Sequence, residues 1–203
     1  MDFFHKFPEA KKMKQHLSNL IENGFDFLEK GILDFKSNPK HSVINFCVAI
    51  ELFLKARLMH EHWSLIVAHE PNLMSFKNGD FKSLNFKDLI PKIESVTGEK
   101  IEKDAVQCFM GLSNHRNKMM HFFHEAHEGG DDILLDKIAV EQCAGWFHLQ
   151  RLIRKWDQIF DAYLERTVEI NHKMKEHVIY LDTVYEKIKP EIDAAKAKGI
   201  KFR

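Results

Sequence analysis

Cysteine is scarce in this chain and badly placed for pairing. Cys47, Cys108 and Cys143 stand far apart, with no CxxC among them. That argues against a disulfide framework and against a cysteine zinc site, and it suits a reducing compartment. Net charge is lacking too: 30 basic residues meet 30 acidic ones. Nothing global therefore draws the chain to nucleic acid or membrane, and any polyanion contact has to come from a local patch. No run approaches the roughly 18 apolar residues that mark a membrane span. The opening MDFFHKFPEAKKMKQ holds no apolar stretch of the secretory-leader kind. No internal repeat and no convincing strand alternation is present. These absences lead to the expectation of a cytoplasmic protein with no membrane contact.

What is present is helical periodicity and phenylalanine. Seventeen Phe can supply a sizeable core, and thirteen His mean that much of the charge can change below pH 7. Pro8 marks a helix start. Met13, Leu17, Leu20, Gly24, Phe27, Leu28, Gly31 and Phe35 then follow helical spacing. Gly24 and Gly31 fall on the apolar face and predict close helix packing. Asn38 and Pro39 predict a second helix, with Val43, Phe46, Cys47, Ile50, Phe53, Leu54 and Leu58 inward and an end near His69. HEPNLMSFKNGD reads as a loop. A short helix is expected over Phe86–Val96, a fourth from Glu102 to Ala126, and a fifth from Asp136 whose stripe from Trp146 to Tyr163 is a seam for core or dimer contact. A sixth carries Ile170, Met174, Leu181, Val184 and Ile188 up to Pro190. The expectation is an all-α, up-and-down bundle of about five to six helices with an extended C-terminal helix.

One stretch carries chemistry, SNHRNKMMHFFHEA at 113–126. At about 100° per residue, Ala105, Phe109, Leu112, Met119 and Phe123 form one apolar line, and Arg116 falls on it. A second line holds Asn114, Asn117, Lys118, His121 and Glu125. Arg116 and His121 point about 140° apart, a gap the long arginine side chain can close. A charge on an apolar line either snorkels to water or has a partner. Four residues apart, Glu51 and Lys55 either form an ordinary helix pair, worth about 0.3–0.5 kcal/mol, or orient Arg116.

RNKMMH, with Arg116, Asn117 and His121, resembles the R-x4-6-H motif of the HEPN superfamily, in which Asn often follows Arg. The preceding VAIELFLKARL, with Glu51 and Lys55 as its polar positions, is similar to the helix before the motif helix in such domains. The resemblance spans roughly residues 10–165. It implies a HEPN-like helical domain over 1–165, followed by a C-terminal helical extension and basic tail over 166–203. It also implies a homodimer with facing motif helices and a metal-independent endoribonuclease of the toxin or phage-defence type. The implied catalytic residues are Arg116, Asn117 and His121, and the RNA contacts are Lys118, His115, His124, Glu51 and Lys55. An antitoxin or regulatory protein would be a further partner. One departure stands out. A subgroup places a modifiable Tyr two residues after the His, and here that position is Phe123, which puts that route of silencing in doubt.

The chemistry can be argued on its own terms. RNA brings its own nucleophile, the 2′-hydroxyl. Cleavage then needs a base, an acid and positive charge on the phosphoryl oxygens. Imidazole and guanidinium suit those tasks, and two facing chains would supply two of each. No cofactor is called for. His121 and His124 have a usable metal-ligand spacing, but HEAH is not HExxH and no ligand set is complete, so no metal is assigned. The alternative from another class is a HEPN-like domain without catalysis, serving as an RNA-binding or protein-partner module.

Overall fold

The computed structural model describes residues 8–121 and 132–198. Among these the chain is helical, with no strand and a single isolated bridge, Val67 to Ser83. The helices are α1 (Pro8–Leu33), α2 (Pro39–Glu61), α3 (Leu73–Asn78), α4 (Phe86–Thr97), α5 (Lys103–His121), α6 (Asp132–Lys155), α7 (Asp157–Phe160), α8 (Leu164–Lys175) and α9 (Val178–Ala197). Among the described residues no helix is long and apolar enough to cross a membrane. The chain forms two compact units, residues 1–120 and 121–203. Position 166, where the extension was expected to begin, lies inside α8.

In the first unit α1 and α2 make the main pairing. A Cβ on Gly24 would come within 2.9 Å of the Phe53 ring, and one on Gly31 within 3.2 Å of the Phe46 nitrogen and the Ser42 carbonyl. Moving forward along α1 thus moves the contact back along α2, so the two are antiparallel. The glycines are there because the helices approach too closely for a side chain. The Ser42 hydroxyl, donating to the Gly31 carbonyl at 2.6 Å, fastens the same crossing. Phe25, Phe46, Phe53 and Phe109 are fully buried, each stabilising by roughly 1.5–3 kcal/mol.

α2 is the central helix of this unit. Every residue from Phe53 to Met59 is buried, Lys55 and Arg57 included, where the sequence suggested a single inner face. α2 ends at Glu61, not near His69, and a 3-10 turn follows at Trp63–Ile66. The stretch read as a loop contains α3. Asn72 caps it by accepting from the Ser75 amide at 3.0 Å, and Gly79 closes it at φ +74°. Both signals stood in the sequence; only six residues lay between them, too few for periodicity to show.

In the second unit α6 packs on α9. Trp146, Leu149, Ile153, Trp156 and Phe160 are buried as the stripe predicted, while Tyr163 is half-exposed. The stripe is not one helix. α6 stops at Lys155, and α7 begins after Trp156. The predicted sixth helix is likewise two, α8 and α9, parted at Glu176 and His177. Leu181 lies outward rather than inward. α9 also runs through Pro190, whose exposed position lets the carbonyl that it deprives of a donor reach water.

Candidate functional site

α5 presents the motif. Ala105, Phe109, Leu112 and Met119 are buried along one line, as predicted. Arg116 on that line is half-buried, and its charge has a partner. Its Nη2 donates to Glu51 Oε2 at 3.1 Å, with side chains only 20% and 21% exposed. The other oxygen of Glu51 accepts from Lys55 Nζ at 2.6 Å. Both readings of Glu51 therefore hold at once: it pairs within its helix and it holds the arginine. Lys55 reaches further and donates to Ser83 Oγ at 2.9 Å. Ser83 stands at the one bridge, where Leu84 donates to the Ile66 carbonyl at 2.8 Å and Ala68 to that of Lys82 at 2.9 Å. A chain of polar contacts thus runs from the 82–84 segment through α2 to the motif arginine.

The guanidinium of Arg116 is only partly used. Its Nε is buried without a hydrogen-bond partner. Its Nη1 has no partner among the described residues and is not buried. A buried unpaired donor costs about 1–3 kcal/mol. Arg57 on α2 shows the contrast. Its Nε is also unpartnered, but Nη1 and Nη2 are both taken, by Glu61 at 2.6 Å and Glu99 at 2.9 Å. Arg57 is a closed structural tie, whereas Arg116 has one terminal nitrogen with no partner among the described residues.

Asn117 and Lys118 are exposed on α5, as is His121, the last described residue of that helix. The division between the units falls between Met120 and His121. Along the helix His121 follows Arg116 by about 7.5 Å of rise. His115 is half-buried and makes contacts of its own. His124 and Phe123 lie outside the described residues. Among the described residues no three His, Cys, Asp or Glu gather into a cluster.

Cys47 adjoins the site. Burial pushes its thiol up to about 12, although Arg116 nearby favours the thiolate. Burial raises Cys143 in the second unit to about 12 as well. Both thiols are free and hold their protons at neutral pH. Sequence reasoning passed over Ser83, which lay in a segment with no helical pattern and joins the network only through the fold.

No protein-family model matches the chain, and no match was found among curated proteins or solved structures.

Proposed function

We propose that the chain is a HEPN-like, metal-independent endoribonuclease acting as a homodimer. The observation that carries this reading is the pairing of Arg116 with Glu51 at 3.1 Å while Nη1 has no partner among the described residues. An arginine meant only to hold two helices together has no need of the spare N–H. One meant to meet a phosphate does, and it must be aimed beforehand. Glu51, itself braced by Lys55 at 2.6 Å, supplies the aim.

In the proposed reaction one His121 removes the proton from a 2′-hydroxyl. The freed oxygen attacks phosphorus, and the bond to the 5′-oxygen breaks. The second chain's copy of that imidazole protonates the leaving oxygen. Products are a 2′,3′-cyclic phosphate and a free 5′-hydroxyl. Arg116 meets the phosphoryl oxygens as charge builds on them, Asn117 positions its neighbours, and Lys118 and His115 add to the attraction for the backbone. His124 is proposed for the same supporting role.

The test is an RNA cleavage assay of the wild type beside His121→Ala, with and without EDTA. Cleavage that survives EDTA, yields cyclic phosphate and disappears in the variant supports the reading. Cleavage lost in EDTA and restored by zinc or manganese makes the histidines a metal site instead. A wild type that binds RNA or a protein partner but cleaves nothing turns the site into a recognition module. Light scattering that gives a strict monomer at micromolar concentration removes the two-imidazole mechanism.

A further inference from the structure

A second site lies wholly within the second unit and owes nothing to the motif on α5. A cavity of about 500 Å³ is lined by residues of α6, α8 and α9. That volume is within the roughly 300–1,000 Å³ usual for small-molecule sites. Three cations stand on it, Arg151, Arg154 and Lys175, against one carboxylate, Glu191. The lining therefore carries a charge of +2, three minus one. Arg154 and Lys175 sit in the last turns of α6 and α8, whose carboxyl ends subtract about half a charge each, so the cavity stays positive. Arg151 is committed: it pairs with Glu191 at 3.0 Å and lies 5.4 Å over the Phe147 ring. Arg154 and Lys175 form no ion pair with any described residue.

The wall of the cavity is a wired set of polar groups. Gln150 Nε2 donates to the Tyr180 hydroxyl at 2.9 Å, and that hydroxyl donates to Asn171 Oδ1 at 2.8 Å. The indole N–H of Trp146 donates to the same oxygen at 3.3 Å. Burial raises the Tyr180 pKa, so the hydroxyl keeps the proton it donates. Two donors on Oδ1 fix which way the Asn171 amide faces. Its Nδ2 group, and Oε1 of Gln150, are left without a partner among the described residues. The Gln150 residue is more than nine-tenths buried, but its Oε1 is not among the buried unpaired atoms, so the oxygen can reach the cavity. Phe147, Leu181 and Val184 complete an apolar side.

The geometry points to a nucleoside phosphate as the ligand of this cavity. Its phosphate would lie against Arg154 and Lys175, which form no ion pair among the described residues. Its flat heterocycle would lie on the apolar side, where a ring amide or amine edge can meet a fixed donor, Asn171 Nδ2, and a fixed acceptor, Gln150 Oε1. A purely inorganic anion would leave those two groups and the apolar wall unused. A purely apolar ligand would leave both cations unused.

The probe is adenosine monophosphate, titrated into the full-length protein and followed by calorimetry and by tryptophan fluorescence, since Trp146 reports on Asn171. Saturable binding with about one site per chain is expected. Adenosine should bind about 10-fold more weakly or worse, because charge-assisted contacts are lost. Arg154→Ala combined with Lys175→Ala should weaken the monophosphate by about 10- to 100-fold and barely alter adenosine. Both residues are exposed, so the variant should keep its circular dichroism. A short RNA with 2′-O-methyl groups, which the cleavage proposed above cannot use, separates the two sources of the ligand. If the monophosphate displaces it, a free nucleotide suffices; if the RNA alone binds, and the double change weakens it, the nucleotide is read within a chain. The inference falls if neither probe binds saturably, if the double change leaves both bindings intact, or if inorganic phosphate binds as tightly as the monophosphate.

Discussion

The two units treat their cations in opposite ways. In the first, Lys55, Arg57 and Arg116 are drawn into the helix pairing and each meets a carboxylate, at 2.6, 2.6 and 3.1 Å. In the second, Arg154 and Lys175 are exposed on a cavity and form no ion pair with any described residue, the cavity's Glu191 being paired with Arg151. Burial explains the difference. A charge removed from water has to be paired there and then, whereas a charge left in water can wait for a ligand. Arg116 stands between the two cases, paired on one nitrogen and open on another.

The comparison would break most visibly at Arg116 and His121. Losing a proton-transfer group costs about 10²–10⁴-fold, so under the proposed mechanism His121→Ala should show the largest fall in RNA cleavage. Arg116→Lys should lose about 10²–10³-fold, the cost of one transition-state donor, because it keeps the charge but not the planar fork. If both variants cleave at the wild-type rate, the activity belongs elsewhere. The next largest effect is on stability. Breaking a buried pair costs about 3–5 kcal/mol; Glu61 and Glu99 are partly hydrated, so about 2–3 kcal/mol is expected for Arg57→Ala in urea unfolding. Cleavage by the folded fraction should be little changed. A loss below about 0.5 kcal/mol would place Arg57 with the surface cations of the second unit.

The buried thiols sharpen the comparison, since each unit holds one. Their folded pKa values are raised to about 12 from 9.0. Below about 9 both states hold the proton and stability is level; from about 9 to about 12 the unfolded thiol ionises and the folded one does not, so stability falls as pH rises. Each thiol adds a slope of up to about 1.4 kcal/mol per pH unit. Replacing Cys47 or Cys143 with Ala should flatten the alkaline limb, and an unaltered slope would mean that the thiol ionises in the folded state. The smallest effect belongs to Arg151→Ala. Its pair with Glu191 is exposed on both sides, and its loss should move stability by no more than about 0.5 kcal/mol. A larger change would mean that the cavity wall is part of what holds α6 and α9 together.

Much of the fold was legible before any coordinates. Gly24 and Gly31 announced a close crossing, Asn38 and Pro39 a helix start, and Trp146 to Phe160 a buried stripe. What failed were the joints. The breaks after Lys155 and Lys175 carry neither glycine nor proline, and the one proline in the region, Pro190, sits inside a helix. Local signals report preference, while the breaks are imposed by how neighbouring helices pack. The candidate site was half legible. Arg116, Asn117 and His121 form a pattern along one helix, which spacing can display. Ser83 and the cavity lined by Arg154 and Lys175 join residues from separate elements, which spacing cannot.

By itself the sequence determined the helical class, the pattern on α5 and the glycines that let α1 approach a neighbour closely, because each depends on side chains at fixed intervals along one chain. Only the tertiary structure decided which carboxylate Arg116 meets, which of its nitrogens stays open, and that Arg154 and Lys175 share a cavity. Those outcomes depend on distances between residues far apart in sequence, and such distances exist only once the helices have packed.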